Sequence, residues 1–144
     1  MIDPWNPSRN AMDRVKDPLP APAKCDSCGG SVRIAHHREI YGGRSFGDWP
    51  WMYVCDCGAR VGMHPGTNIP LGTMADEATR HSRKVAKPIF EKVWKDGYMS
   101  RTDAYRWLAE QMGIPTSKCH FGMFSSSRCH QARKICTSYL RTQS

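Results

Sequence analysis

The chain has 144 residues, long enough for one domain with a modest hydrophobic core. Charged residues make up 24% and hydrophobic ones 40%, a globular rather than a disordered balance, and no apolar run approaches the roughly 18 residues of a membrane span. The net charge of +8 suits phosphate backbones, an acidic protein surface, or plain solubility.

Residues 1–24 carry five prolines (Pro4, Pro7, Pro18, Pro20 and Pro22) and little periodic hydrophobicity. They read as an extended arm with Trp5 as its large apolar group. The amino terminus has neither the basic start nor the apolar stretch of a secretory signal.

Two short motifs follow, Cys25-Asp26-Ser27-Cys28-Gly29-Gly30 and Cys55-Asp56-Cys57-Gly58. Four thiolates are what a tetrahedral structural Zn²⁺ takes, and each pair is followed by glycine, which can turn through φ > 0 around a metal. The 26 residues between the pairs have room for a strand, a loop and a returning strand, the layout of a zinc ribbon. Buried or disulfide-paired cysteines are the plain alternative, but seven cysteines in a metal-like pattern favour zinc and a reducing cytoplasm. His36, His37 and His64 stand as spare ligands should one thiol not bind.

Between the motifs, Val32, Ile34 and His36 alternate with Arg33, Ala35 and His37, and Trp51, Tyr53 and Cys55 alternate in the same way. Residues 59–63 can return as a third short strand. The intervening glycine-rich loop carries Tyr41, Arg44, Phe46 and Trp49, which are expected at an exposed tip and offer a contact surface. The plainer alternative has Phe46 and Trp49 folding back over the ribbon's small core.

Residues 61–73 form a crossover rich in glycine and proline, with His64, Thr67 and Asn68 on it. Free N–H groups at a helix start, with Arg80, Arg83, Lys84 and Lys87 downstream, could hold a phosphate; a purely structural crossover is the favoured reading. Helices take over from Thr73, whose side chain with Asp76 suggests a cap. Pro88 should end or kink the first helix before Ile89, Phe90, Val93 and Trp94 resume an apolar stripe. Ser100 caps a second helix with Ala104, Tyr105, Leu108, Ala109 and Met112 on one face, stopped by Gly113. A third helix is expected from about 126 to 140, with Cys129, Ala132 and Cys136 inward.

Cys119, His120, Cys129, His130 and Cys136 invite a second metal site. Cys129 and Cys136 lie seven residues and about 10 Å apart on one helix, too far to share a zinc with bonds near 2.3 Å. A core role for both is the better expectation. Catalysis has thin support, because a four-thiolate zinc has no open position and no paired-carboxylate motif accompanies it. After Glu110 no acidic residue occurs, while Lys118, Arg128, Arg133, Lys134 and Arg141 follow, a basic tail that suits a phosphate backbone, an acidic protein surface or solubility.

From Cys25 onward the chain resembles a family of zinc-finger-containing proteins found mostly in bacteriophages and prophages. Cys25-x2-Cys28, Tyr53-Val54-Cys55, Val61-Gly62-x-His64-x-Gly66-Thr67, Pro70-Leu71-Gly72-Thr73 and Arg101-x3-Tyr105-x-Trp107-Leu108-Ala109 carry that resemblance. It implies a zinc-binding phage protein and transfers no activity.

The expectation is therefore an α+β chain: arm 1–24, zinc ribbon and crossover 25–72, and a helical subdomain 73–144 on which the ribbon is mounted. Cys25, Cys28, Cys55 and Cys57 would hold one structural zinc, and Arg44, Phe46, Trp49, His64, Arg80, Arg83, Lys84, Arg133 and Lys134 would contact DNA or RNA by phosphate pairing and aromatic stacking. Such a protein would be an accessory or regulatory binder, not an enzyme, in the cytoplasm of a bacterial host. The alternative is a modulator docked on a host enzyme such as RNA polymerase or a defence nuclease complex, with Trp5 and the aromatic tip as its anchors.

Overall fold

A computed structural model describes residues 1–143, which divide into two compact units, Met1–Glu77 and the chain from Ala78 onward. The division falls at the first residue of a helix rather than at the glycine-rich crossover before it. Among the described residues no helix is long and apolar enough to cross a membrane.

The first unit is built on a three-stranded antiparallel sheet, β1 (Arg33–His36), β2 (Trp51–Val54) and β3 (Arg60–Gly62), in that order. Its register follows from alternation. Ile34 pairs with Tyr53 and Tyr53 with Val61, so one ladder of apolar side chains crosses all three strands. These pack with Cys25, Ala59, Met63 and Met74. Ala35 pairs with Met52 and faces the other way, where Met52 and Val54 pack against Ile40 and Tyr41. Ile40 ends a four-residue helix, α2 (His37–Ile40), that directly follows β1 and covers this second face.

Residues 1–24 do not run as a free extended arm. Ser8 caps a six-residue helix, α1 (Arg9–Arg14), by accepting from the Ala11 N–H, and its own N–H donates to the Gly66 carbonyl at 2.9 Å. Gly66, at φ +78°, leaves the space this approach needs, since a Cβ there would lie 2.9 Å from the Ala11 Cβ. Pro4 is fully buried and its carbonyl accepts from Asn68 Nδ2 at 3.1 Å. The arm is thus hydrogen-bonded to the crossover.

The crossover itself is a closed turn. The His64 N–H donates to the Ile69 carbonyl, and Thr67, fully buried, donates its hydroxyl to the His64 carbonyl and accepts from the Ile69 N–H. Those donors are used inside the turn.

The second unit contains α3 (Glu77–Lys95) from Ala78 on, α4 (Arg101–Met112) and α5 (Ser126–Gln143), with two 3₁₀ turns, Thr116–Lys118 and Phe121–Met123, between α4 and α5. Pro88 neither ends α3 nor divides it. An interior proline costs about 3 kcal/mol. Burying Ala86, Phe90 and Val93 on one stripe offsets that cost, each large side chain contributing roughly 1.5–3 kcal/mol. Ser100 caps α4 by accepting from the Asp103 N–H at 3.1 Å, and Gly113, at φ +69°, ends it with Ile114 bonded back to Ala109. Phe90, Leu108, Phe121, Phe124, Cys129 and Cys136 meet in the core, with Phe90 and Phe121 rings 5.4 Å apart.

Candidate metal centre

The sulfurs of Cys25, Cys28, Cys55 and Cys57 all lie within 4.8 Å of one another. The closest contacts are Cys25 to Cys57 at 3.7 Å and Cys28 to Cys55 at 3.5 Å. Four zinc–sulfur bonds of about 2.3 Å in a tetrahedron hold the sulfurs about 3.8 Å apart, so the set matches a zinc cage.

Local backbone geometry builds this cage. Cys25 and Gly30 close the first knuckle through the Cys25 N–H to the Gly30 carbonyl at 2.9 Å, and the Gly29 N–H returns to the Cys25 carbonyl. The Ser27 N–H then points at the Cys25 sulfur, 3.4 Å away, and the Gly30 N–H at the Cys28 sulfur, 3.3 Å away. Gly29 and Gly58 sit at φ +76° and +96°, where a side chain would be strained. A Cβ at Gly30 would lie 3.1 Å from the Cys28 sulfur and 3.6 Å from that of Cys55. Asp26 adds a clasp that the sequence pattern does not reveal: its carboxylate accepts from the Met74 N–H at 2.8 Å.

Electrostatics point the same way. Burial opposes ionisation of Cys25, but the N–H groups of Cys28 and Ser27 and the neighbouring thiols outweigh it and hold its thiol below the ordinary range. At Cys57 the Ala59 N–H favours the thiolate, yet desolvation and the sulfurs of Cys28, Cys55 and Cys25 push it up to about 12. Four thiolates this close need a cation to ionise together, and Zn²⁺ is the borderline-soft ion that such a donor set selects. Over residues 21–139 the sequence matches a family described as a zinc-finger-containing domain. The chain belongs to this zinc-finger-containing family. No curated protein and no solved structure matches it. One structural zinc ion, held by the four cysteines, is the cofactor this domain fits.

The spare histidines fall outside the zinc-finger ligand set. Among the described residues the four cysteines are the one cluster of three or more candidate ligands. His36 accepts from the Arg38 N–H and stacks edge-on to Trp51 at 5.0 Å. His37 accepts from the Phe46 N–H at 3.2 Å; burial, with His36 beside it, keeps it below the usual histidine range. The remaining cysteines are core groups. Burial pushes the Cys119 thiol up to about 11 and that of Cys136 to about 12, and raises Cys129 as well.

The other residues expected at a binding surface lie apart. Arg44 is exposed in the loop after α2. Phe46 is 54% exposed, with its ring 5.2 Å from that of Tyr41. Trp49 is half-buried and its indole N–H donates to the Thr67 carbonyl at 2.9 Å, so it folds back onto the crossover instead of standing at the tip. Tyr41 is half-buried beneath the Arg60 guanidinium, 4.9 Å from its ring centre. His64 is half-buried near Arg14 and Lys16.

In the second unit, Arg80 is half-buried on α3, and Arg83 is tied by its Nε to the Phe124 carbonyl at 2.9 Å, clamping α3 to the turn before α5. Lys84, Arg133 and Lys134 are exposed. Sequence reasoning missed His81, Ser82 and Ser126, which line one groove with Arg133 and with His130, a residue it had weighed only as a metal ligand. The i, i+3 spacing of His130 and Arg133 was the available signal.

Proposed function

We propose that this zinc-finger domain is an accessory, non-catalytic nucleic-acid-binding protein whose helical unit, rather than its zinc ribbon, meets the phosphate backbone. The observation that carries this reading is how charge divides between the units. Up to Glu77 the chain has 8 Lys and Arg against 9 Asp and Glu; from Ala78 onward it has 13 against 4. The whole positive excess therefore lies in the helical unit. Four thiolates around a Zn²⁺ add further negative charge to the ribbon, which opposes a phosphate contact there. Two of the four carboxylates of the helical unit, Glu91 and Asp103, are already paired with Lys95 and Arg106.

Zinc in a closed four-sulfur cage has no position for a substrate, so its part in this reading is to fold the ribbon. The thiolate set suits the reducing cytoplasm of a bacterial host, consistent with the phage kinship the sequence resembles. A second reading, docking on a host protein, has its own observation: Trp5 is 66% exposed although Asp3 locks its turn by accepting from the N–H groups of Trp5 and Asn6. Pull-down from expressing cells with and without nuclease treatment separates the two. Nuclease-sensitive recovery of nucleic acid supports the first; a protein partner that survives nuclease replaces it with the second.

A further inference from the structure

The groove between α3 and α5 has a composition that the fold alone does not require. Its floor is Val85, Ala86 and Cys129, and its rim carries His81, His130 and Arg133. At one end the Ser126 hydroxyl lies 3.4 Å from that of Ser82 and 3.3 Å from that of Thr79. The Ser82 hydroxyl donates to Ser126 and that of Ser126 to Thr79, which leaves the imidazoles of His81 and His130 and the Arg133 guanidinium to donate to an anion, and no carboxylate lines the groove. The space is about 120 Å³, suited to one phosphate group rather than a whole nucleotide.

The groove continues as a stripe. His130, Arg133, Lys134, Thr137, Ser138 and Arg141 line a shallow hollow along α5, a helix of 18 residues with no Asp or Glu. Arg133 and Arg141 are eight residues apart, about 12 Å along the axis. That length is enough to meet more than one phosphate of a single strand. A lone anion needs no such run of donors, whereas a regularly spaced polyanion does.

We infer that this groove and the α5 stripe are the phosphodiester-binding track of the protein, with one phosphate seated between His81, His130 and Arg133 and its neighbours paired along α5. The inference rests on the nucleic-acid reading and sharpens it from a charged unit to one helix face. Arg83 is not part of the track, because its guanidinium holds the Phe124 carbonyl.

The test compares the full chain, an H130A/R133A variant and a K92A/K118A variant on a labelled DNA duplex and its single strand across a salt series. Lys92 and Lys118 are exposed basic residues outside the groove. The groove variant should bind at least tenfold more weakly at low salt and flatten the plot of log affinity against log salt by about 1 for the lost arginine. The control should lose less, and all three should keep zinc and melting temperature. If the parent binds but the two variants are alike, the track lies elsewhere and the nucleic-acid reading survives. No binding by the parent overturns both, and competition by polyglutamate equal to that by DNA overturns the phosphodiester assignment.

Discussion

At Gly30 the zinc site is tight against a side chain. Its N–H points at the Cys28 sulfur, and a Cβ would crowd that sulfur at 3.1 Å. Sulfurs fixed by a metal cannot move aside, unlike the far end of a flexible chain. Gly30→Ala should therefore weaken zinc binding by about tenfold or more, the range typical of groups that orient metal ligands, read as faster metal transfer to a chelator. A substitution at an exposed helical position, Gln131→Ala, should leave that rate unchanged. Residue chemistry at this site was legible in the sequence, since Cys-x2-Cys-Gly and Cys-x-Cys-Gly name their own ligands. The Asp26 clasp was not: its partner Met74 lies 48 positions away, and nothing local marks a carboxylate that accepts from a distant amide.

Among the elements, α3 shows most clearly where local rules yield to packing. Pro88 has no N–H to give and its side chain is exposed, so it contributes nothing to the core. Pro88→Ala should raise the stability of the helical unit by about 1–3 kcal/mol, measured by denaturant titration, because it restores a helical hydrogen bond without disturbing Phe90 or Val93. A fall in stability would mean that the proline shapes the helix for its packing. Sequence reading expected Pro88 to end or kink the helix, and its continuation to Lys95 was not legible because propensity is local, while the burial that carries it on involves Leu108 and Phe124 from other elements. α4 was readable end to end, since Ser100 and Gly113 carry both its caps. α1 and α2 were not, for helices this short depend on docking: α1 on Gly66, and α2 on the sheet face of Met52 and Val54.

For the molecule as a whole, the two units are held by different physics. The helical unit has a continuous core of large side chains, Phe90, Leu108, Phe121 and Phe124 among them. The ribbon unit has a thin sheet whose main cluster includes one of the zinc ligands, Cys25, so metal and core are a single structure there. The cysteines and the helical stripes made the zinc ribbon and the helices legible in the sequence, but the charge asymmetry across Glu77 emerged only once α3 was seen to begin there. Structural zinc contributes about 10–16 kcal/mol to the folding of small metal-dependent domains. The most direct test is hydrogen exchange of the full chain before and after zinc is stripped by a chelator, with metal content followed by native mass spectrometry. One zinc per chain is expected, and its removal should abolish protection at Ile34, Met52, Tyr53 and Val61 while α4 and α5 keep theirs. Sheet amides that stay protected in demonstrably zinc-free protein would contradict the account.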